Sequence, residues 1–352
     1  MFRGIVMGNF VITGRVEMEL AAVVRSLAVD RVFVLVDENT AQHCLPFLDL
    51  SDLNPCVIRI PAGDEFKTID TAIEVWNRLV DGGATRSSLL VNVGGGVVTD
   101  LGGFVAATFK RGMRFVNVPT TLLGVVDAAT GGKTGVNFRG LKNEVGAFAM
   151  PEKVVINPKF FETLDFKNRL SGYAEMLKHA LIADPILLEQ TLAFDLDGFD
   201  VKRLSVLLKE NIDVKEKIVE IDPREVGQRK ALNFGHTVGH AFESLSYEKG
   251  VPMLHGFAVM WGMVTELYLS LVKLRFDKAV LMRVLCFAKE YYGAFPFTCK
   301  EYDRLYELML HDKKNSGGVV NFTLLAGVGD VRINQTVTKE EVFEALDFLR
   351  EN

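Results

Sequence analysis

The chain has 352 residues, of which 49% are apolar and 24% are charged, and its formal net charge is −5. This length favours two domains over one, and the apolar content excludes a largely disordered chain. The negative charge disfavours nucleic acid as a partner, although it allows a local basic pocket for a small anion.

Short β-branched runs alternate with helix-period segments in the first part of the chain. The runs VFVLV, LLVNV, FVNV and VVIN predict strands at 32–36, 89–93, 115–118 and 154–157, and residues 69–80 have the apolar spacing of a helix. This alternation predicts a βαβ sheet with covering helices. We therefore expect an α/β, Rossmann-like nucleotide-binding domain over residues 1–158.

The pattern changes after Pro158. Segments such as 203–219 and 257–272 carry helix-spaced apolar residues. One late exception, VVNFTLLAGVGDV at 319–331, predicts two short strands around a glycine turn. We expect a mainly α-helical domain over residues 159–352.

A strand runs into three glycines in LLVNVGGGVVTDLGG at 89–103. Glycines allow backbone N–H groups to approach a pyrophosphate at a helix N-terminus, here a helix expected to begin near Val98. The spacing is not GxGxxG, and a tight, closely packed turn explains the glycines equally well. Asp37, after an earlier strand, can accept ribose hydroxyls, although such an aspartate is usually only a helix cap.

A second glycine turn presents a lysine in PTTLLGVVDAATGGKTGVN at 119–137. Lys133 in this GGKT turn is suited to clamp a phosphate or carboxylate among backbone donors. The turn lacks the earlier glycine of a Walker P-loop. Lys142 and Asn143 offer further donors, although each alone is more typical of a solvated surface.

Histidines and a glutamate in separate segments predict a metal site. His236 and His240 lie at i and i+4, His255 precedes a glycine at the start of an apolar helix, and Glu175 lies four residues before His179. Two histidines and a glutamate with an open position suit catalytic zinc. Spacing alone does not choose among these ligands, because any single histidine is more often structural.

The four cysteines are scattered without a CxxC pair. They disfavour a thiolate zinc site or a disulfide framework and indicate reduced thiols. No stretch is expected to approach the ~20 apolar residues of a membrane span, and MFRGIVMGNF lacks the plan of a secretion signal. We therefore expect a cytoplasmic location and no membrane partner.

Several motifs together resemble those of the 3-dehydroquinate synthase family, the sugar-phosphate cyclases of the shikimate pathway. These motifs are GGGVVTDLGG, PTTLL followed by VD and GGKTGVN, KN, AEMLK, RKALNFGHTVGHA, LHG and DKKN, and they extend over nearly the whole chain. The resemblance implies a homodimeric lyase that uses NAD and a divalent metal, commonly zinc, with cobalt as an alternative. It further implies conversion of 3-deoxy-D-arabino-heptulosonate 7-phosphate, a small phosphorylated sugar acid, into 3-dehydroquinate and phosphate. The implied steps are transient oxidation, phosphate elimination, reduction, ring opening and aldol closure.

The resemblance also implies roles for individual residues. Glu175, His236 and His255 would bind the metal, whereas His240 would contact the substrate phosphate. The other residues expected around the substrate are Asp127, Lys133, Asn143, Lys178, Lys215, Arg229, Asn233, Lys313 and Arg111, the last reaching from a partner subunit. The residues expected to hold NAD are Asp37, Asp64, Lys67, Gly94, Gly95, Gly96, Asp100, Thr120, Thr121, Leu123, Lys142, Phe160 and Thr163.

Some positions depart from the residues usual in the family. They are Phe257 and Asn168, where an acid is common, Asp64 in place of Glu, and Ala128 and Ala129 in place of hydroxyl residues. None of these departures removes an expected metal ligand or substrate cation.

Three alternative functions stay open: a cyclase for a different sugar phosphate, a metal-dependent polyol dehydrogenase, and a non-catalytic NAD- or metal-binding module. A dehydrogenase of this kind needs no cations to bind a phosphate, because its polyol substrate carries none. It is therefore disfavoured by four cations, Lys133, Lys215, Arg229 and Lys313. The retention of all expected ligands disfavours the non-catalytic module.

Overall fold

The computed structural model describes residues 5–7, 9–139, 141–294, 296–310 and 320–352. The chain divides into two compact units, Met1–Asp165 and Phe166–Asn352. The domain boundary expected at residue 158 precedes the start of the second unit.

The first unit contains a seven-stranded sheet and a separate hairpin. Its strands are β1 (Ile5–Met7), β2 (Phe10–Ile12), β3 (Val32–Asp37), β4 (Cys56–Ile60), β5 (Leu89–Gly94), β6 (Arg114–Pro119), β7 (Lys133–Phe138), β8 (Leu141–Phe148) and β9 (Lys153–Ile156). The order in the sheet is β1-β2-β9-β6-β5-β3-β4, and β7 pairs with β8. All neighbours in the sheet are parallel except β1 and β2. The four predicted strands are confirmed as β3, β5, β6 and β9.

Helices cover both faces of this sheet. They are α1 (Val16–Ser26), α2 (Glu38–His43), α3 (Ile69–Asp81) and α4 (Gly96–Thr108). Leu35 and Leu90 pack with apolar residues of α3 and α4, whereas Val34 and Val91 pack with those of α1. Because both faces are buried, the strands are continuous apolar runs. The predicted helix at 69–80 is confirmed as α3, and the helix expected near Val98 begins at Gly96.

The order in which the strands are added to the sheet reverses between β3 and β5. From β3 the chain passes to β4 on one side and then returns to β5 on the other side. In doubly wound sheets, ligands bind outside the carboxyl ends of the strands at such a reversal. Asp37 and Gly94 end the two strands at this point, so the topology favours a ligand beside the glycine turn.

The second unit is mainly helical. Its described elements are α5 (Phe166–Ala183), α6 (Pro185–Leu192), α7 (Val201–Ile221), α8 (His236–Glu248), α9 (His255–Leu274), α10 (Lys278–Tyr292), α11 (Tyr302–Leu310), β10 (Asn321–Gly327), β11 (Asp330–Thr336) and α12 (Lys339–Glu351). The two predicted helices lie within α7 and α9. The two predicted strands are confirmed as β10 and β11, although β11 extends beyond residue 331.

Helix α9 lies at the centre of the second unit, where α5, α8, α10, α12 and β10 pack against it. It is 20 residues long, and it is apolar enough to cross a membrane by length and composition alone. The expectation that no stretch approaches this composition was therefore wrong. However, 67% of its apolar 18-residue stretch is buried inside the protein. The core helix of a soluble protein can have the same length and composition, so these two features are weak evidence for a membrane span.

Candidate functional site

Three side chains from three helices converge in the second unit. Glu175 lies within α5, His236 is the first residue of α8, and His255 is the first residue of α9. Their ligand atoms all lie within 4.8 Å of one another. The Nε2 atoms of both histidines are 3.5 Å from Oε1 of Glu175. The set expected to bind metal therefore comes together, and it is the one group of this kind found among the described residues.

The remaining ring nitrogens of the two histidines face hydrogen-bond acceptors. Nδ1 of His236 is 3.1 Å from the carbonyl oxygen of Phe234, and Nδ1 of His255 is 3.2 Å from Oε2 of Glu243. Because these oxygens accept, each Nδ1 donates its hydrogen, and Nε2 is the nitrogen that would bind a metal at the shared centre once it carries no proton. Two such imidazoles and one carboxylate fit a divalent metal such as zinc.

The environment acts differently on the two imidazoles. Burial holds the pKa of His236 well below its usual value, and the nearby Lys178 acts in the same direction, so this ring is neutral. Burial also lowers the pKa of His255, but hydrogen bonds to Glu175 and Glu243 outweigh it and raise that pKa to about 10. A metal ion at this centre would therefore compete with a proton for His255.

Glycines allow α9 to approach the neighbouring backbones closely. A Cβ atom on Gly256 would lie 1.9 Å from the backbone oxygen of Ser171 in α5, and one on Gly262 would lie 2.0 Å from that of Gly235. Both distances are far below van der Waals contact. The close packing that places His255 beside Glu175 therefore requires glycine at these positions.

A buried carboxylate of α9 caps the start of α8. Glu266 is fully buried, and it accepts hydrogen bonds from the backbone N–H groups of Gly235, at 2.6 Å, and Val238, at 3.2 Å. The N-terminal N–H groups of a helix otherwise have no intrahelical partner, and negative charge is favourable there. Glu266 thus holds the helix end that carries His236.

Two further histidines lie outside the group of three. His240 is near the group, with its ring centroid 5.3 Å from that of His236 and 6.0 Å from that of His255. His179 is fully buried in α5. Neither belongs to the described cluster of ligand atoms. The expected contact of His240 with a substrate phosphate stays a prediction.

Several cations expected to bind substrate are buried in the second unit. Lys178, Arg229 and Lys215 are 1%, 2% and 4% exposed. Lys178 forms an ion pair with Oε2 of Glu175. Buried charges require partners, and cations of this kind are suited to an anionic substrate. Lys313 lies in the segment 311–319, outside the described residues.

The turn between α7 and α8 carries Arg229 and Asn233. The carboxylate of Asp222 accepts hydrogen bonds from the backbone N–H groups of Val226, Gly227 and Arg229 at 2.7–3.1 Å. Nδ2 of Asn233 donates to Glu225 at 2.7 Å, and the Arg229 guanidinium donates to a backbone carbonyl at 2.7 Å. These bonds define the positions of two predicted substrate contacts.

In the first unit, five of the expected polar residues form two groups. Nζ of Lys67 donates to Oδ2 of Asp100 at 2.5 Å and to Oδ1 of Asn143 at 2.6 Å, and Lys67 is only 5% exposed. Lys142 forms an ion pair with Asp64 at 3.4 Å. The structure thus links residues predicted for NAD with one predicted for substrate.

The glycine turn after β5 is closely packed. A Cβ atom on Gly94 would lie 2.5 Å from the side chain of Val98, one on Gly95 would lie 3.0 Å from that of Thr121, and one on Gly96 would lie 3.2 Å from Cβ of Ala128. Packing therefore explains part of the glycine pattern without a ligand. The role of these glycines in holding NAD stays a prediction.

Polar residues line the adjacent strand ends. Asp37 caps α2 by accepting from the backbone N–H of Thr40 at 2.7 Å, as its position predicts. Thr120 is buried after β6, and Oγ1 of Thr121 accepts from the backbone N–H of Gly124 at 2.9 Å. Gly124 begins a π-helical turn, Gly124–Ala128, that carries Asp127.

Five other predicted residues have the following positions. Lys133 is exposed at the start of β7, and Arg111 is exposed with a φ of 67° in a turn after α4. Leu123 is half-buried before the π-helical turn. Phe160 is buried and Thr163 exposed at a turn after β9. The expected roles of these five residues stay predictions.

Phe257, one of the departures from the family pattern, packs against an aromatic side chain. Its ring centroid is 4.9 Å from that of Tyr292, with an interplanar angle of 62°. The Tyr292 hydroxyl donates to the carbonyl of Leu170 at 2.8 Å. The ring of Phe257 therefore contributes to packing between α9 and α10.

Sequence reasoning missed Glu243, Glu225, Asp222 and Glu266. Glu243 lies seven residues after His236, which places both residues on one helical face, so its spacing could have revealed it. Glu225 lies in an irregular turn with a φ of 59°, where periodicity offers no signal. The partners of Asp222 and Glu266 are backbone groups, which leave no pattern in side-chain spacing.

Comparison with known families shows to which protein family the chain belongs. The model described as 3-dehydroquinate synthase N-terminal matches residues 57–171, and the model described as 3-dehydroquinate synthase C-terminal matches residues 172–315. The chain belongs to the 3-dehydroquinate synthase family. It is 53% identical to the 3-dehydroquinate synthase of Parabacteroides distasonis, with 97% of this chain and 98% of that protein covered. It is 38% identical to the 3-dehydroquinate synthase of Pyrococcus abyssi, with 85% and 86% covered.

Two solved structures share the fold of this 3-dehydroquinate synthase family member. A 2-epi-5-epi-valiolone synthase from Streptomyces hygroscopicus subsp. jinggangensis 5008, with NAD+ and Zn2+ bound, has a TM-score of 0.83 at 27% identity, and the match covers 100% of this chain and 99% of that chain. A 2-deoxy-scyllo-inosose synthase complexed with carbaglucose-6-phosphate, NAD+ and Co2+ also has a TM-score of 0.83, at 22% identity, with 97% and 96% covered. The predicted fold class, a Rossmann-like sheet domain followed by a helical part, is confirmed.

Proposed function

We propose that this chain catalyses the 3-dehydroquinate synthase reaction, the conversion of 3-deoxy-D-arabino-heptulosonate 7-phosphate into 3-dehydroquinate and phosphate. The enzyme is a carbon–oxygen lyase that acts on phosphate. The observation that carries the proposal is the convergence of Glu175, His236 and His255 within 4.8 Å in a chain that is 53% identical to a relative of that name over nearly its full length.

The proposed enzyme uses NAD and a divalent metal, zinc or cobalt. When bound, the metal would make a substrate hydroxyl more acidic and the nicotinamide would accept and later return a hydride. Glu175, His236 and His255 would hold the metal through one carboxylate oxygen and two Nε2 atoms. The Nδ1 partners of both rings support this assignment, because an Nδ1 that donates its hydrogen to an acceptor leaves Nε2 as the nitrogen that would bind the metal.

The polar residues around this centre would bind and orient the substrate. Lys178, Lys215 and Arg229 are buried cations, suited to a molecule that carries a carboxylate and a phosphate. Asn233 and His240 would add hydrogen bonds, with His240 at the phosphate. Such fixed geometry is what successive elimination and ring closure on one bound molecule require.

The NAD site is proposed for the domain at residues 1–158, and the metal and substrate sites for the domain at 159–352. The reversal of the strand order between β3 and β5 supports the assignment of the NAD site to the first domain. The NAD residues are those expected from the resemblance, including Asp37, Lys67 and Asp100. We further propose a cytoplasmic homodimer in which Arg111 reaches the partner's site.

A cyclase for another sugar phosphate is the second candidate function. The fold neighbours include synthases of 2-epi-5-epi-valiolone and 2-deoxy-scyllo-inosose, so the fold alone does not choose the substrate. A polyol dehydrogenase is disfavoured because its substrate carries no phosphate for the buried cations to bind.

Parallel measurement of NADH and phosphate tests the reaction class. The purified chain would receive NAD+, zinc and either the heptulosonate phosphate, another sugar phosphate, or glycerol. The proposal expects phosphate release only from the heptulosonate phosphate, without accumulation of NADH, because the hydride returns to the substrate. NADH formation from glycerol would instead indicate a dehydrogenase, and phosphate release from another sugar phosphate alone would indicate a different cyclase.

A further inference from the structure

We propose that Glu243 is a positioning residue of the metal centre. Its carboxylate would hold the imidazole of His255 so that Nε2 faces Glu175 and His236. This inference rests on the proposed function, because it assigns a residue that orients one of the proposed ligands.

Glu243 contacts the side of the His255 ring that points away from the other ligands. Its Oε2 is 3.2 Å from Nδ1 of His255, whereas Nε2 of the same ring is 3.5 Å from Glu175. Glu243 is 5% exposed, and it is outside the cluster of ligand atoms. The carboxylate therefore acts on the ring without belonging to the ligand set.

One face of α8 carries the relevant side chains. His236, His240 and Glu243 lie at i, i+4 and i+7, and residues seven apart on a helix differ in direction by only ~20°. Helix α8 packs directly against α9, which begins with His255. Helix α8 thus supplies one ligand through its first residue and orients a second ligand through Glu243, two turns later.

The two ligand histidines have chemically different partners. Nδ1 of His236 donates to the neutral carbonyl of Phe234, whereas Nδ1 of His255 donates to a carboxylate. A carboxylate at this position fixes the tautomer and the ring orientation, and it makes the opposite nitrogen a stronger donor to a metal. Loss of Glu243 should therefore weaken metal binding through His255.

The experiment compares Glu243→Ala with Glu243→Gln. The amide oxygen of glutamine can still accept from Nδ1, so this variant keeps the orientation and loses only the charge. Full-length proteins stripped of metal would be titrated with Zn2+ and Co2+ against a competing chromophoric chelator at one pH. The visible spectrum of bound Co2+ would report the ligand geometry.

We expect Glu243→Ala to bind metal ~10–100-fold more weakly, the range typical for loss of such partners, with an altered Co2+ spectrum. Glu243→Gln should recover most of the affinity and the wild-type spectrum. Glu248→Ala is the matched control, because Glu248 lies on the same helix and forms an exposed ion pair with Arg304. This control should bind metal as the wild type does.

Wild-type affinity and spectrum in Glu243→Ala would overturn the positioning role, as would equal losses in the alanine and glutamine variants. If Glu243→Ala does not fold, Glu243→Asp provides the test, because it keeps the charge but withdraws the acceptor from Nδ1. Unchanged affinity in that variant would also overturn the inference. A folded wild type that binds no metal would overturn the proposed function as well, whereas unaffected variants of a metal-binding, active wild type would overturn only the inference.

Discussion

Lys178 donates a hydrogen bond to Oε2 of Glu175, which lies one turn earlier on α5, while Oε1 of the same carboxylate lies 3.5 Å from Nε2 of both His236 and His255. Lys178 and Glu175 are 1% and 0% exposed. One buried carboxylate therefore interacts with a fixed cation on one side and with the proposed metal position on the other. Lys178 and a metal ion would stabilise the same negative charge.

This shared carboxylate predicts a specific effect of Lys178→Met. Without metal, the variant should lose about 3 kcal/mol of stability, because a buried carboxylate loses its cation. Zinc should then raise the Tm of the variant by more than that of the wild type, since the metal supplies the missing positive charge. Thermal unfolding with and without zinc measures both effects. Lys217→Met, at an exposed position on α7, is the control, and equal zinc shifts in Lys178→Met and wild type would contradict the argument.

A methyl group at Gly256 should disturb the metal centre. Because the added Cβ would lie 1.9 Å from the oxygen of Ser171, α9 must move away from α5, and His255 must move away from Glu175. We expect a loss of about 1–3 kcal/mol of stability together with weaker zinc binding. Urea unfolding and metal competition measure the two effects.

Gly327→Ala is the matched control for this substitution, because a Cβ atom there would meet its nearest neighbour at 4.0 Å. It should retain zinc affinity. If Gly256→Ala also binds zinc as the wild type does, close packing at this position is not what places His255.

Removal of the Glu266 carboxylate should destabilise the start of α8. Glu266→Ala leaves the N–H groups of Gly235 and Val238 without their observed acceptor, which should cost about 2 kcal/mol. Glu189→Ala serves as the comparison, because its ion pair with Arg283 is exposed, and exposed ion pairs contribute little to stability. Urea unfolding of both variants at one pH measures the difference. Equal stabilities would show that Glu266 is not an important cap.

Glu216 on α7 predicts a pH dependence of stability. Burial and the nearby carboxylates of Asp213 and Glu220 raise the pKa of Glu216 to about 7 from its ordinary value of 4.5. A carboxyl group whose pKa is higher in the folded protein disfavours folding once it ionises, so its contribution to stability falls as the pH rises from 4.5 to 7. The group is partly exposed, which limits the effect to about 1 kcal/mol.

Glu216→Gln should therefore remove this penalty. The variant should be more stable than the wild type at pH 8 and equally stable at pH 4, as measured by Tm at both values. Glu210→Gln, on the same helix, is the matched substitution for comparison. A Glu216→Gln variant with the same advantage at both pH values would refute the titration argument.

Replacement of the exposed Lys133 should impair the use of the substrate but not the binding of NAD. Lys133→Ala should lower kcat/KM for the phosphorylated substrate by about 10-fold or more, because a charge-assisted hydrogen bond contributes ~1.5–3 kcal/mol. The affinity for NAD should stay close to that of the wild type. Steady-state kinetics and NAD titration measure the two quantities, with the exposed Lys159→Ala as the control. Unchanged kinetics would remove Lys133 from the substrate site.

The regular elements could be predicted where their physical signal is local. Strands β3 and β5 are continuous β-branched runs because both faces of the sheet are buried, and α3 shows its apolar spacing because one face is buried. The end of β11 could not be predicted, because Arg332, Asn334 and Gln335 give it a polar composition. The π-helical turn at 124–128 has no distinctive periodicity.

The candidate site was only partly accessible from the sequence. The spacing of His236 and His240 indicated a helix face, but it favoured two ligands on α8 as readily as one. The structure brings His255 and Glu175 to His236 from other helices through contacts at Gly256 and Gly262, and such contacts between distant segments leave no local pattern. The resemblance to a family supplied the ligand set that spacing left open.

The most direct test of the central claim is the identity of the product. The purified chain would be incubated with 3-deoxy-D-arabino-heptulosonate 7-phosphate, a catalytic amount of NAD+ and zinc, and the products followed by NMR, with and without a chelator. The account predicts one 3-dehydroquinate and one phosphate for each substrate consumed, and no conversion after chelation until zinc is restored. Conversion that persists without metal, or phosphate release without 3-dehydroquinate, would contradict it.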